Sequence, residues 1–168
     1  EIAGEDRALV AESAINEGLL LAEAVSFARD VTNAPANHLR PAQYAEKIVA
    51  LLKPYGVECE IIAGKDLEKK GLNGLYLIGN SSDFEPQLVV MKYKNGGKKK
   101  TALVGKGITF DTGGYSLKPS ASMLTMNGDM GGSASVVAAI YALAKSKAKA
   151  NVVGVVALAE NRISAGSL

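Results

Sequence analysis

Residues 151–158, "NVVGVVAL", are an unbroken apolar run rich in β-branched valine. So short a run suits a strand covered on both sides, and such strands belong to α/β domains with helices laid over a sheet. What precedes the run agrees. "GGSASVVAAIYALAKSKAKA" reads as a helix with Val136, Ile140, Leu143 and Ala144 on one face. "QLVVMKY" and "TALVG" read as strands, and the Asn95-Gly96 turn signal between them predicts an antiparallel hairpin.

The N-terminal part alternates in the same way. Leu20, Ala24, Phe27 and Val31 mark one face of a long helix over roughly residues 7–31, stopped by "TNAPANHLRP". A second helix opens at Pro41, with Tyr44, Ile48 and Leu51 as its apolar face, and closes at Gly56. "VECEII" alternates like a half-buried strand, and "KDLEKKG" is a short helix ended by Gly71. Strands alternating with helices, plus one hairpin, predict a mixed sheet flanked by helices.

Composition narrows the function. The 168 residues fit one domain of ordinary size, and the formal net charge of +2 disfavours a nucleic-acid or membrane-surface partner. Lys98–Lys100 read as a solvated hairpin tip, and Lys145, Lys147 and Lys149 as cations drawn to a helix C-terminus. The lone cysteine, Cys59, has no internal disulfide partner, which points to a reducing cytoplasm. No apolar run is long enough to cross a bilayer. The chain opens on Glu1 and closes on the loop-like "RISAGSL", which reads as a piece of something longer.

The chemistry concentrates in "VGKGITFDTGGYSLKPSASMLTMNGDMGGSAS", residues 104–135, where Lys106, Asp111, Lys118 and Asp129 stand among glycines and apolar residues. Taken singly, the lysines read as surface amines, Asp111 as a turn former and Asp129 as a helix cap. Together they flank the end of a buried strand, where open α/β sheets place ligands. Lys106 and Asp111 are five residues apart, an odd spacing that puts them on opposite faces of a regular strand. Gly107 is the expected place for the backbone to leave the strand and let them converge.

Three site chemistries compete. A phosphate loop fails on pattern, because no glycine stands five before Gly105 and no Ser or Thr follows Lys106. An aspartic protease would use the Asp-Thr-Gly triplet at Asp111, but the chain has one triplet and would have to dimerise. A metal centre would rest on carboxylate oxygens and a deprotonated lysine amine, because His38 is the sole histidine and reads as a loop residue.

"VGKGITFDTGGYSLKP" followed by "MNGDMGGSASV" closely resembles the signature region of the leucine aminopeptidases, the cytosol aminopeptidase or M17 family. "FARDVTNAPANHLRPAQYAEK" resembles the segment before that family's catalytic domain. The resemblance implies an α/β catalytic domain with a mixed, mostly parallel sheet. It implies an interdomain linker helix over residues 1–33 and the first portion of that domain over 34–168. It implies two divalent ions, Zn²⁺ or Mn²⁺ with Mg²⁺ and Co²⁺ as further candidates. Lys106, Asp111 and Asp129 would be ligands, Lys118 the catalytic lysine and Met126 a lining of the substrate pocket. Peptide substrates, leucine-like specificity, cytoplasmic location and a homo-oligomer, a hexamer, follow from the same resemblance. A non-catalytic or DNA-binding relative with the same fold is the alternative outside hydrolysis.

Three departures accompany the match. Leu124 and Asn127 stand where the family carries an acidic and a basic residue. The family's "NTDAEGR" string, which supplies an aspartate, a glutamate and an arginine, does not occur. These 168 residues alone are therefore expected to be inactive, with strand 151–158 exposing an unpaired edge.

Overall fold

A computed structural model describes residues 5–167; positions 1–4 of the expected linker and Leu168 lie outside them. The first helix, α1 (Glu5–Asn33), and the second, α2 (Pro41–Leu52), lead through a 3₁₀ turn and Gly56 to strand β1 (Glu58–Ala63). Helices α3 (Lys65–Lys69) and α4 (Asn73–Gly79) follow, then strands β2 (Gln87–Lys94) and β3 (Thr101–Asp111). A short α5 (Ser120–Met123) and a 3₁₀ turn (Met126–Gly128) precede α6 (Gly131–Lys145) and the last strand, β4 (Asn151–Asn161).

The four strands form one mixed sheet in the order β1-β2-β4-β3. Only β3–β4 is parallel; β1–β2 and β2–β4 are antiparallel. The parallel pair is closed by α6 as a crossover helix, the connection parallel strands require. The expected β2–β3 hairpin does not form, because β4 lies between the two strands. Two strand spacings are about 10 Å, a gap that residues 95–100 span easily. Asn95 does not close a tight turn. Its backbone N–H donates to Ala150 O at 3.0 Å and its side-chain amide to Lys147 O at 2.9 Å.

The apolar strand β4 therefore takes the centre of the sheet and has no free edge; the edges are β1 and β3. This corrects the expected unpaired edge. Val104 on β3 is 78% exposed, on the face turned away from α6, since its neighbour Gly105 faces that helix. Cover on β4 is also one-sided. Val152, Gly154, Val156 and Leu158 are buried, whereas Val153, Val155 and Ala157 are half-buried.

The core lies on the helical face. Tyr44, Ile48 and Leu52 of α2 are fully buried with Val137 and Ile140 of α6 and Met91 and Val156 of the sheet. Gly154 lets α6 approach: a Cβ there would meet Ile140 Cδ1 at 2.2 Å. Truncating Ile140 to Ala would cost about 2–5 kcal/mol. Helix α1 packs along α6 through Ala24 and Val31, and Lys145 and Tyr141 of α6 both bond the Glu23 carboxylate. Among the described residues no helix is long and apolar enough to cross a membrane.

Candidate metal centre

Strand β3 does not break at Gly107. It continues to Asp111, and the irregularity falls between Ile108 and Phe110. Lys106 lies opposite Ala157 and Asp111 opposite Asn161, so five steps on β3 match four on β4. A β-bulge has absorbed one residue. It converts the odd spacing into an even one, so Lys106 and Asp111 return to the same face. Thr109, the unpaired residue, is buried and donates its hydroxyl to Ala159 O at 3.3 Å.

Two other segments close on this strand. The start of α6 lies against it at Gly105, where a Cβ would sit 2.7 Å from both Gly132 O and Ser133 Cα. Gly105 is thus a packing residue, which accounts for the Gly-Lys dipeptide without a phosphate. That packing brings Asp129, at the end of the 3₁₀ turn, onto Lys106: Nζ is 2.6 Å from each carboxylate oxygen. The loop after β3 turns at Gly113, whose φ of 92° favours glycine. It closes where Lys118 N donates to Thr112 O at 2.9 Å. This places Lys118 Nζ 2.8 Å from Asp111 Oδ2.

The four charges therefore meet as two amine–carboxylate pairs. Burial alone would raise the Asp111 carboxyl, whose side chain is 14% exposed. The Lys118 ammonium, the Gly113 N–H and the Asn161 amide outweigh burial and hold it below the usual carboxylate range. Lys118 is raised, chiefly by its bond to Asp111, with the Asp129 charge adding to the effect. Asp129 thus acts on both amines.

Met126 is half-buried on the same turn, its carbonyl accepting from Asp129 N at 3.4 Å. Asn127 has a structural task. Its amide donates to Thr32 O at 3.2 Å and Ala34 O at 3.4 Å, which ties the turn to the end of α1. Leu124 is 81% exposed, and both side chains are neutral, so neither forms an ion pair here. His38 is exposed in the α1–α2 loop.

Two polar residues at the end of β4 escaped the sequence reading. Asn161 Nδ2 donates to Asp111 Oδ1 at 2.7 Å. Glu160, fully buried, points the other way and holds Ser82 Oγ at 2.6 Å and Arg162 Nε at 2.7 Å. The available signal was polar residues ending an apolar strand. Register, which decides which of the two faces Asp111, was not legible.

Two carboxylates and an amine drawn from these two pairs suit a hard or borderline divalent cation, with oxygen donors and one nitrogen. Among the described residues no group of three or more His, Cys, Asp or Glu converges. The donors thus fit part of a metal site and fall short of two complete coordination shells.

A sequence model of the cytosol aminopeptidase family, catalytic domain, matches residues 26–168. The probable cytosol aminopeptidase of Rickettsia typhi is 53% identical over 144 residues, covering 84% of this chain and 29% of the relative. The cytosol aminopeptidase of Rickettsia prowazekii is 51% identical over 144 residues, with the same coverage, 84% and 29%. Among solved structures, the bottromycin maturation enzyme BotP in complex with Mn is 42% identical, with a TM-score of 0.88, over 94% of this chain and 34% of that one. The apo leucyl aminopeptidase of Trypanosoma cruzi is 34% identical, also with a TM-score of 0.88, over 91% of this chain and 30% of that one. The chain thus spans about three-tenths of the length of the curated relatives it matches.

Proposed function

This chain belongs to the cytosol aminopeptidase family, and from that premise we propose that the whole protein is a metal-dependent aminopeptidase. It releases N-terminal residues, leucine-like ones preferentially, from peptides. The observation that carries the reading is the convergence of Lys106, Asp111, Lys118 and Asp129 as two amine–carboxylate pairs at one end of the β3–β4 pair.

In this reading Lys106, Asp111 and Asp129 hold divalent metal, Zn²⁺ or Mn²⁺, with two ions per site. A relative's structure with Mn supports that choice. When bound, such ions supply a Lewis acid and lower the pKa of water so that it becomes a nucleophile. An amine coordinates only without its proton, so Lys106 binds metal in its neutral form. Lys118 has the opposite task. Asp111 and Asp129 favour its charged form, and an ammonium suits an oxygen that becomes negative as the peptide carbonyl is attacked. Met126 lines the pocket for the first side chain. The three donors are too few for two ions, so further ligands complete the site. The family resemblance adds a homo-oligomer, a hexamer.

The aspartic-protease reading loses support. An aspartic dyad shares a proton between carboxylates, whereas Asp111 is paired with an ammonium and held in its ionised form.

The test is metal analysis with an assay on a leucine amide, using the gene product as the cell makes it. Chelation should abolish turnover and added Mn²⁺ or Zn²⁺ restore it. Asp111→Asn should bring metal content and activity down together to background. Full metal occupancy in that variant would remove Asp111 from the ligand set.

A further inference from the structure

We infer that Asn161 is a positioning residue that aims the Asp111 carboxylate, an inference that rests on the reading of Asp111 as a metal ligand. A carboxylate has about four lone-pair sites. Asp111 Oδ1 accepts two N–H groups, from Gly113 N at 2.9 Å and Asn161 Nδ2 at 2.7 Å. Those bonds fill Oδ1 and fix the rotation of the group. Oδ2 is turned to Lys118 at 2.8 Å, and it alone keeps an open lone pair toward the cluster.

The backbone of the same residue holds the neighbouring loop. Asn161 O accepts from both Thr112 N and Thr112 Oγ1, each at 2.9 Å. Thr112 O in turn accepts from Lys118 N. One position on β4 thus sets the carboxylate with its side chain and anchors the Lys118 loop with its carbonyl. The side-chain task needs a neutral donor. An amide can give an N–H to the carboxylate, whereas an acid in its place would repel it. Residue 160 cannot substitute, because Glu160 lies on the opposite face and is committed to Ser82 and Arg162.

The experiment uses the full gene product with Asn161→Ala and Asn161→Leu, which remove the donor and keep the backbone carbonyl. Mn²⁺ alone is the probe, titrated against a competing chelator. The metal-free melting temperature, kcat and KM are measured beside it. Outer partners of metal ligands typically govern about 10–100-fold in affinity, and the Mn²⁺ Kd should rise by that factor. The metal-free Tm should stay within a few degrees of the parent, and kcat should fall more than KM rises. Parental Mn²⁺ affinity in either folded variant would overturn the inference. So would an affinity loss that tracks a loss of metal-free Tm, or failure of both variants to fold, since each makes Asn161 merely structural. Asp111→Asn run in parallel separates the levels. If it keeps Mn²⁺, the ligand reading fails; if it alone loses Mn²⁺, only the positioning role fails.

Discussion

The two ends of the β3–β4 pair both carry lysines and use them differently. At the end where both strands begin, Lys98, Lys99, Lys100, Lys147 and Lys149 are exposed, and among the described residues none pairs with a carboxylate. Their loops are held by neutral groups: Asn95 bonds Lys147 O, and Tyr93 OH donates to Ala148 O at 2.9 Å. At the end where both strands finish, two lysines meet two carboxylates whose side chains are 19% and 14% exposed. Solvent screens the first set, while partial burial makes the second set act on one another. Opposed charge in partial burial marks the candidate site; density of lysine does not.

The largest break in that comparison should come from Lys118→Ala in the full gene product. Losing one electrostatic donor typically costs on the order of 10²–10³ in kcat, and metal content should hold at the parental level. Parental kcat in a steady-state assay would take Lys118 out of the chemistry.

The core beneath the site shows burial acting without a countercharge. Burial pushes the Tyr44 phenol up to about 12, against a bond from Ser133 Oγ at 3.3 Å that lowers it. A folded-state pKa above the ordinary value of about 10 contributes stability that is full below pH 10 and lost as pH rises through 12. The loss across that window is about 2–3 kcal/mol. Tyr44→Phe should flatten this alkaline decline in chemical-denaturation curves taken at several pH values. An unchanged slope would show that Tyr44 ionises freely in the fold.

Gly105→Ala sharpens the comparison through packing alone. The new methyl group would meet backbone of Gly132 and Ser133. It should cost about 1–3 kcal/mol and weaken Mn²⁺ binding by shifting Asp129 from Lys106. A neutral effect on both, by denaturation and metal titration, would refute close approach of α6 as the origin of the site. The smallest effect belongs to the other end. Replacing Lys98, Lys99 and Lys100 together with Gln should change stability by no more than about 0.5 kcal/mol and leave Mn²⁺ affinity at the parental value.

Much of the fold was legible. Periodicity gave α1, α2 and α6, because each buries one stripe against a common core. Helix α4 was missed: its seven residues, "NGLYLIG", carry three punctuating asparagine or glycine residues and too short a stripe to read. The hairpin failed because Asn95-Gly96 specifies a local turn, while strand order depends on which strand best fills the centre of the sheet.

The sequence by itself determined which residue types are present for chemistry, the four charges at Lys106, Asp111, Lys118 and Asp129. It also determined the glycine at 105 that lets α6 approach. Only the tertiary structure decided how they meet. The bulge at Thr109 turns a five-residue spacing into one face, and the β3–β4 register puts Asn161, not Glu160, against Asp111. Those are properties of pairing between strands separated by an entire crossover helix. A local pattern specifies the side of its own strand, but the partner and the register are set by where the whole core packs best.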